Sequence, residues 1–119
     1  TRDFTYVTDV VDACYSAAIS DYKQEVFNVG SDNTYSINYL VDLLGGNRQY
    51  IQKRPGEPDS THADISKIKK LLKWSPKVSF EEGVKVMLEN LDLYKDAPVW
   101  DESSIQDATK DWFEYLGEK

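Results

Sequence analysis

The spacing of apolar residues predicts five helices, because apolar side chains recur every three or four positions in five stretches. Before each stretch stands a side chain that can accept hydrogen bonds from free backbone N–H groups. In the first helix the predicted apolar face is Val10, Cys14 and Ala17, so Cys14 is expected in the core. Glycines are predicted to end the second helix at 45–46 and the last at 117. The predicted N-caps are Thr8 or Asp9, Ser36, Asp64, Ser79 (in a capping box with Glu82) and Asp101.

Three shorter segments predict β-strands, because they combine aromatic or β-branched residues over a few positions. They are residues 3–7, 26–29 and 50–52. Strands this few and short cannot form a self-sufficient sheet, so we expect them to complete a sheet formed elsewhere. The segment 53–62 contains proline and glycine and is predicted to be a loop. The expected class is a helix-rich α/β fold with few short strands, in one domain spanning residues 1–119.

Composition narrows the classes of function. The net charge of −7 argues against a nucleic-acid binder, because neutralising phosphates needs an excess of Lys and Arg. Cys14 is the only cysteine, so an intrachain disulfide and a cysteine-based zinc site are excluded, and no metal is expected. No apolar run approaches the length of a membrane span, and a reducing, cytoplasmic setting is expected. The lone histidine, His62, is expected to be structural or solvated.

Three segments, matching in order and spacing, resemble the extended short-chain dehydrogenases/reductases. They are residues 2–11 (RDFTYVTDVV), residues 27–31 (FNVGS) with 35–37 (YSI), and residues 53–57 (KRPGE) followed by 63–64 (AD) and 69–76 (KKLLKWSP). This family comprises the NAD-dependent nucleotide-sugar epimerases and dehydratases, and the chain looks UDP-glucose 4-epimerase-like. Two positions depart from the family pattern. Thr8 replaces the first of two acidic residues, and Thr61 stands where the epimerases often carry an aromatic residue.

The resemblance implies the C-terminal, substrate-binding portion of such an enzyme, a fragment without its Rossmann core. The missing Rossmann domain would bind NAD and supply the catalytic tyrosine, and this fragment would bind no cofactor. The sequence contains no G-x-G-x-x-G pattern. Its only Tyr-x-x-x-Lys spacing, Tyr115 to Lys119, crosses Gly117 after the last helix, and we attribute it to chance. We therefore predict no catalytic residue in this chain and no activity of the chain alone.

Arg2, Arg54 and Glu57 are the predicted substrate-binding residues. Arginine suits a diphosphate, because its planar fork donates paired hydrogen bonds to phosphate oxygens. The resemblance implies that Arg2 and Arg54 grip the diphosphate and that Glu57 accepts hydrogen bonds from the ribose hydroxyls. The residues alone leave a second interpretation open. On that interpretation the arginines are solvated, and Glu57 is a loop carboxylate paired with Lys53 or Arg54.

The implied ligand is a UDP- or dTDP-hexose. In the whole enzyme its C4 hydroxyl would be oxidised by hydride transfer to NAD. An epimerase would then re-reduce the keto intermediate, whereas a 4,6-dehydratase would remove water from it, and of the two we favour the epimerase. A different hypothesis is an α-rich interaction domain that binds no ligand. A third is a homo-oligomer that forms through the surface normally covering the Rossmann domain.

Overall fold

The computed structural model describes residues 1–117, and helices make up its regular structure. None of the helices in this part of the chain is long and apolar enough to cross a membrane. The helix-rich character of the predicted fold is confirmed. The helices are α1 (Val7–Ala18), α2 (Ile37–Leu44), α3 (Ser66–Leu72), α4 (Phe80–Glu89) and α5 (Glu102–Leu116), with a 3₁₀ helix at Leu91–Tyr94.

The three predicted strands, 3–7, 26–29 and 50–52, are not formed within residues 1–117. The β-type pairing found there is an isolated antiparallel bridge between Arg2 and Tyr35, whose backbones exchange hydrogen bonds of 2.9 and 3.0 Å. A strand needs a neighbour that supplies hydrogen bonds along its edge, and the described residues supply none to these segments. Val7, the last residue of the first predicted strand, begins α1 instead. The α/β part of the predicted class is therefore wrong for these residues.

Local capping signals place most helix starts correctly. Ser36 accepts a hydrogen bond from Tyr39 N at 3.0 Å, and Ser79 accepts one from Glu82 N at 3.2 Å. Asp101 accepts one from Ser104 N at 2.8 Å, and the Ser104 hydroxyl accepts one in return from Asp101 N at 2.9 Å. At Ser79, where a capping box was predicted, the bond from Glu82 N is present, whereas the box with both reciprocal bonds is at Asp101 and Ser104. The N-cap residue of a helix can be a hydroxyl residue such as Ser79 or a carboxylate residue such as Asp101.

Helix α1 differs from its prediction in both start and orientation. It begins at Val7, after Tyr6, without a side-chain cap. Asp9 is 2% exposed, and its Oδ2 accepts hydrogen bonds from the backbone N–H groups of Lys77 at 3.1 Å and Val78 at 3.0 Å. The buried face is therefore the one that carries Asp9 and Ala13. Cys14 is exposed, so its predicted core position is wrong, because the helix turns its acidic residue inward.

The main core joins α1 to α3 and the segments beside them. Ala13, Ile65, Ile68 and Trp74 are each at most 3% exposed. Residues 27–29 and 63–74 thus share one core, although they lie in different segments of the sequence. The partly buried residues packed against this core are Phe27, Val29, Ala63 and Leu72.

An aromatic stack ties the N-terminal segment to α2 and α4. The ring of Phe80 lies 4.3 Å from that of Tyr35 and 4.9 Å from that of Phe4, centroid to centroid, and both pairs are stacked. Tyr39 lies 5.8 Å from Phe80, and its hydroxyl donates a hydrogen bond to Glu81 at 2.8 Å. Offset stacking adds to the hydrophobic stabilisation of such pairs. The stack therefore supports the Arg2–Tyr35 bridge that begins the chain.

Replacing Asp9 by Ala is expected to lower the free energy of unfolding by about 2 kcal/mol or more, because two buried N–H groups lose their acceptor. Asp12→Ala is the matched control, since Asp12 makes only an exposed ion pair with Lys77, whose loss costs under about 1 kcal/mol. Urea unfolding of the two variants beside the parent measures both. Equal midpoints for the two variants would contradict the role given to Asp9.

Candidate functional site

The carboxylate of Asp3 joins the three segments that carry the family resemblance. Its Oδ1 accepts hydrogen bonds from Ser31 N at 2.6 Å and from the Ser31 hydroxyl at 2.7 Å. Its Oδ2 accepts one from Ala63 N at 3.1 Å. Burial alone would raise the pKa of Asp3, but the hydrogen bonds from Ser31 and Ala63 outweigh burial and hold that pKa below its ordinary 3.8. The segment that carries Arg2 is thereby held against the other two.

Gly30 is required by close packing at this junction. A Cβ atom at position 30 would lie 2.4 Å from Oδ2 of Asp3 and 2.7 Å from Cβ of Ala63. Both distances are shorter than any ordinary contact, so a side chain would push apart the groups that Asp3 connects. The glycine of the FNVGS segment therefore serves packing between segments.

Arg2 and Arg54 both contact Glu57. One Nη of Arg2 donates to Oε1 of Glu57 at 2.9 Å. Arg54 donates from Nε to Oε2 at 3.0 Å and from Nη2 to Oε1 at 3.1 Å. These side chains are 26%, 34% and 29% exposed, in the order Arg2, Arg54, Glu57. Lys53 pairs with Asp59 instead, at 2.5 Å, so of the two pairings considered for Glu57 the one with Arg54 is found.

The two arginines keep Glu57 ionised. The hydrogen bonds from Arg54, with a smaller contribution from Arg2, hold the pKa of Glu57 below its ordinary 4.5. A tight turn brings the partners together: Glu57 N donates to Arg54 O at 3.3 Å, and Gly56 between them has a φ of +74°. Glycine adopts this left-handed conformation without strain. The cluster is therefore formed by the local turn and by the arrival of Arg2 from the chain start.

Helix α5 covers the other side of Arg54. The guanidinium carbon of Arg54 lies 5.1 Å from the centroid of the Trp112 ring, within the range of a cation–π contact. The indole Nε1 of Trp112 donates to Pro55 O at 2.7 Å. The sequence pattern did not predict this contact of Trp112. An open cavity of about 570 Å³ lies between this loop and α5, lined by residues 52–57, Phe113 and Gly117.

Comparison with known proteins gives consistent matches. A family model described as GDP-mannose 4,6 dehydratase matches residues 45–87. UDP-glucuronate 4-epimerase of Thermodesulfobacterium geofontis is 36% identical, over 82% of this chain and 33% of that protein. GDP-mannose 4,6 dehydratase 1 of Arabidopsis thaliana is 29% identical, over 90% of this chain and 32% of that protein. The crystal structure of UDP-glucose 4-epimerase with UDP-glucose from Thermotoga maritima matches at a TM-score of 0.65 and 34% identity, covering 76% of this chain and 31% of that one.

This chain belongs to the nucleotide-sugar epimerase/dehydratase family. It resembles the C-terminal part of an extended short-chain dehydrogenase/reductase, as its three sequence segments predict. The chain spans about a third of the length of these family members, 31% to 33%. About two thirds of each of these relatives therefore has no counterpart in this chain.

Other residues singled out in the sequence take structural places. Asn28 donates from its side-chain amide to Asp64 O at 3.3 Å, which links two segments of the resemblance. His62 is exposed and lies near the carboxylates of Asp3 and Asp64. Within residues 1–117, no group of three or more His, Cys, Asp and Glu side chains is placed to hold a metal. Of the rejected pair, Tyr115 is 78% exposed and Lys119 lies outside the described residues.

Gly30→Ala is expected to destabilise the folded chain by about 1–3 kcal/mol, because the new methyl group overlaps Asp3 and Ala63. Gly46→Ala is the control, since a Cβ at position 46 meets no atom within 4 Å. Thermal and urea unfolding of both variants compare the two sites. If Gly30→Ala were as stable as Gly46→Ala, the junction would not be as closely packed as its distances indicate.

Proposed function

We propose that this chain anchors the diphosphate of a nucleotide-sugar through Arg2 and Arg54. Glu57 would hold both guanidinium groups and accept a hydrogen bond from a ribose hydroxyl. The observation that carries the proposal is the shared carboxylate. Glu57 contacts both arginines, which arrive from separate parts of the chain. The shared carboxylate thereby brings two guanidinium groups to one place, which suits a ligand with several phosphate oxygens.

Charge supports an anionic ligand. Two guanidinium groups and one carboxylate leave the cluster with a formal charge of +1 in a chain of net charge −7. Arginine has five N–H donors, and Arg54 directs two of them to Glu57, so the remainder are available to phosphate oxygens. A diphosphate offers several acceptor oxygens for such charge-assisted hydrogen bonds. The adjoining cavity of about 570 Å³ falls within the range of ligand pockets.

The proposed ligand is a UDP- or dTDP-hexose, and the proposed parent activity is that of a nucleotide-sugar epimerase. The solved relative from Thermotoga maritima is a UDP-glucose 4-epimerase with UDP-glucose, and a second relative is a UDP-glucuronate 4-epimerase. The GDP-mannose 4,6 dehydratase matches keep a dehydratase of the same family as the alternative. Binding energy at the diphosphate would position the sugar for reaction at a separate centre.

NAD is the cofactor that the family resemblance implies, and these residues do not fit it. The sequence offers no glycine-rich strand-to-helix turn for its pyrophosphate. We therefore propose that the Rossmann domain expected of this family binds NAD and supplies the catalytic tyrosine. We assign the present residues a binding role alone.

A second candidate function, as an interaction surface, is supported by the outer face of α1. Val7, Val11 and Tyr15 are each more than 60% exposed on that helix. Apolar side chains grouped in this way are typical of surfaces that meet another protein surface. The Rossmann domain and a second copy of this chain are the two partners proposed for it.

Arg54→Ala in an enzyme that contains this chain is expected to weaken UDP-hexose binding about 10- to 100-fold, because charge-assisted hydrogen bonds contribute about 1.5–3 kcal/mol. Arg48→Ala is the matched control, since Arg48 pairs with Asp42 away from Glu57. Calorimetric titration with the nucleotide-sugar measures both affinities. An Arg54→Ala variant that binds as tightly as the Arg48→Ala control would overturn the diphosphate assignment.

The 119-residue polypeptide alone is expected to show no turnover when incubated with NAD and UDP-hexoses, because it lacks the glycine-rich and Tyr-x-x-x-Lys elements in a usable position. Chromatographic analysis of the sugar products measures this, with an intact epimerase as the positive control. Product formed by the polypeptide alone would show that it carries catalytic residues.

A further inference from the structure

Helix α5 contacts the Arg54 loop through two interactions of Trp112, and Leu116 lies near the same loop. The Trp112 ring faces the Arg54 guanidinium at 5.1 Å, and its Nε1 donates to Pro55 O at 2.7 Å. At Gly56, Cδ1 of Leu116 lies 3.9 Å from the position that a Cβ would occupy. Trp112 on α5 therefore packs against Arg54 and Pro55 in this turn.

The two contacts of Trp112 act on different degrees of freedom. Its hydrogen bond to Pro55 O holds the backbone of the turn, and its ring limits where the Arg54 guanidinium can lie. A free arginine side chain has about 2 kcal/mol of rotamer entropy, which binding must overcome if the side chain is not already ordered. Glu57 holds one edge of that guanidinium, while Trp112 covers its face. Together they leave the remaining edge for a ligand.

We propose that Trp112 is a positioning residue for Arg54, which makes α5 a part of the nucleotide-sugar site. This inference rests on the proposed function, because it assumes that Arg54 binds the diphosphate. It adds a residue from outside residues 45–87, the part of the chain that the family model matches. Trp112 acts through Arg54 and does not itself touch the ligand.

The test is a double-mutant cycle in the enzyme that contains this chain. Trp112→Leu keeps apolar bulk but removes both the aromatic face and the N–H donor. It is expected to weaken UDP-hexose binding about five-fold, because a partly exposed cation–π contact is worth about 1 kcal/mol. Trp112→Phe keeps an aromatic face and is expected to recover part of that loss. Trp100→Leu is the control, because Trp100 is 58% exposed and lies before the start of α5.

The background of Arg54→Ala separates positioning from general stability. There, Trp112→Leu is expected to weaken binding by less than about two-fold, because the residue that it orders is gone. A merely structural Trp112 would give the same loss in both backgrounds, and that result would overturn the inference. We also expect Trp112→Leu to raise KM while leaving kcat within about two-fold, since it removes binding shared by substrate and transition state.

The outcomes also distinguish this inference from the proposed function. If Arg54→Ala itself leaves the affinity unchanged, the proposed function fails and the inference fails with it. If Arg54→Ala weakens binding but Trp112→Leu matches Trp100→Leu, the inference alone fails. Loss of affinity in Trp112→Leu that depends on Arg54 supports both.

Discussion

The rest of this structure depends on one carboxylate, that of Asp3. It accepts hydrogen bonds from Ser31 and Ala63 and so connects three segments that are far apart in the sequence. Its lowered pKa shows that the charged form is the one that the fold binds. Arg2 is its neighbour in the chain and forms the bridge with Tyr35, so the position of the Arg2 side chain follows from these two attachments. The three segments of the family resemblance thus each contribute one residue to the junction at Asp3: Asp3 itself, Ser31 and Ala63.

In this chain, side-chain carboxylates accept hydrogen bonds from backbone N–H groups that would be paired between strands in a β-sheet. Buried backbone N–H groups must find acceptors, and within residues 1–117 a single β-bridge supplies few of them. Asp3 accepts from Ser31 and Ala63, and Asp9 accepts from Lys77 and Val78. Asp3 joins three segments outside the helices, and Asp9 joins α1 to the loop before α4. This explains how a chain with short helices keeps its loops in defined positions.

The features that could be predicted from the sequence are those that depend on residues close together in the chain. The caps at Ser36, Ser79 and Asp101 were predicted because each side chain accepts a hydrogen bond from a backbone N–H only three residues away. Asp9 gave the same local signal, yet its partners lie 68 and 69 residues along the chain, so periodicity placed α1 with the wrong face inward. The segments 3–7, 26–29 and 50–52 have strand composition, but a strand also needs a partner. Arg2, Arg54 and Glu57 came from the family resemblance, whereas Trp112 lies 57 residues from Pro55 and gave no sign in the sequence.

In the proposed function, the arrangement at Glu57 orders the two arginines before the diphosphate binds. Two guanidinium groups repel each other, and a carboxylate between them offsets that repulsion while it orients both. Because the hydrogen bonds from Arg54 and Arg2 lower the pKa of Glu57 from its ordinary 4.5, the carboxylate stays charged to a lower pH than a free glutamate does. The net charge of the three groups remains positive, so an incoming diphosphate still gains from binding. Since the cost of ordering the side chains is met on folding, more of the binding energy is available to hold the ligand.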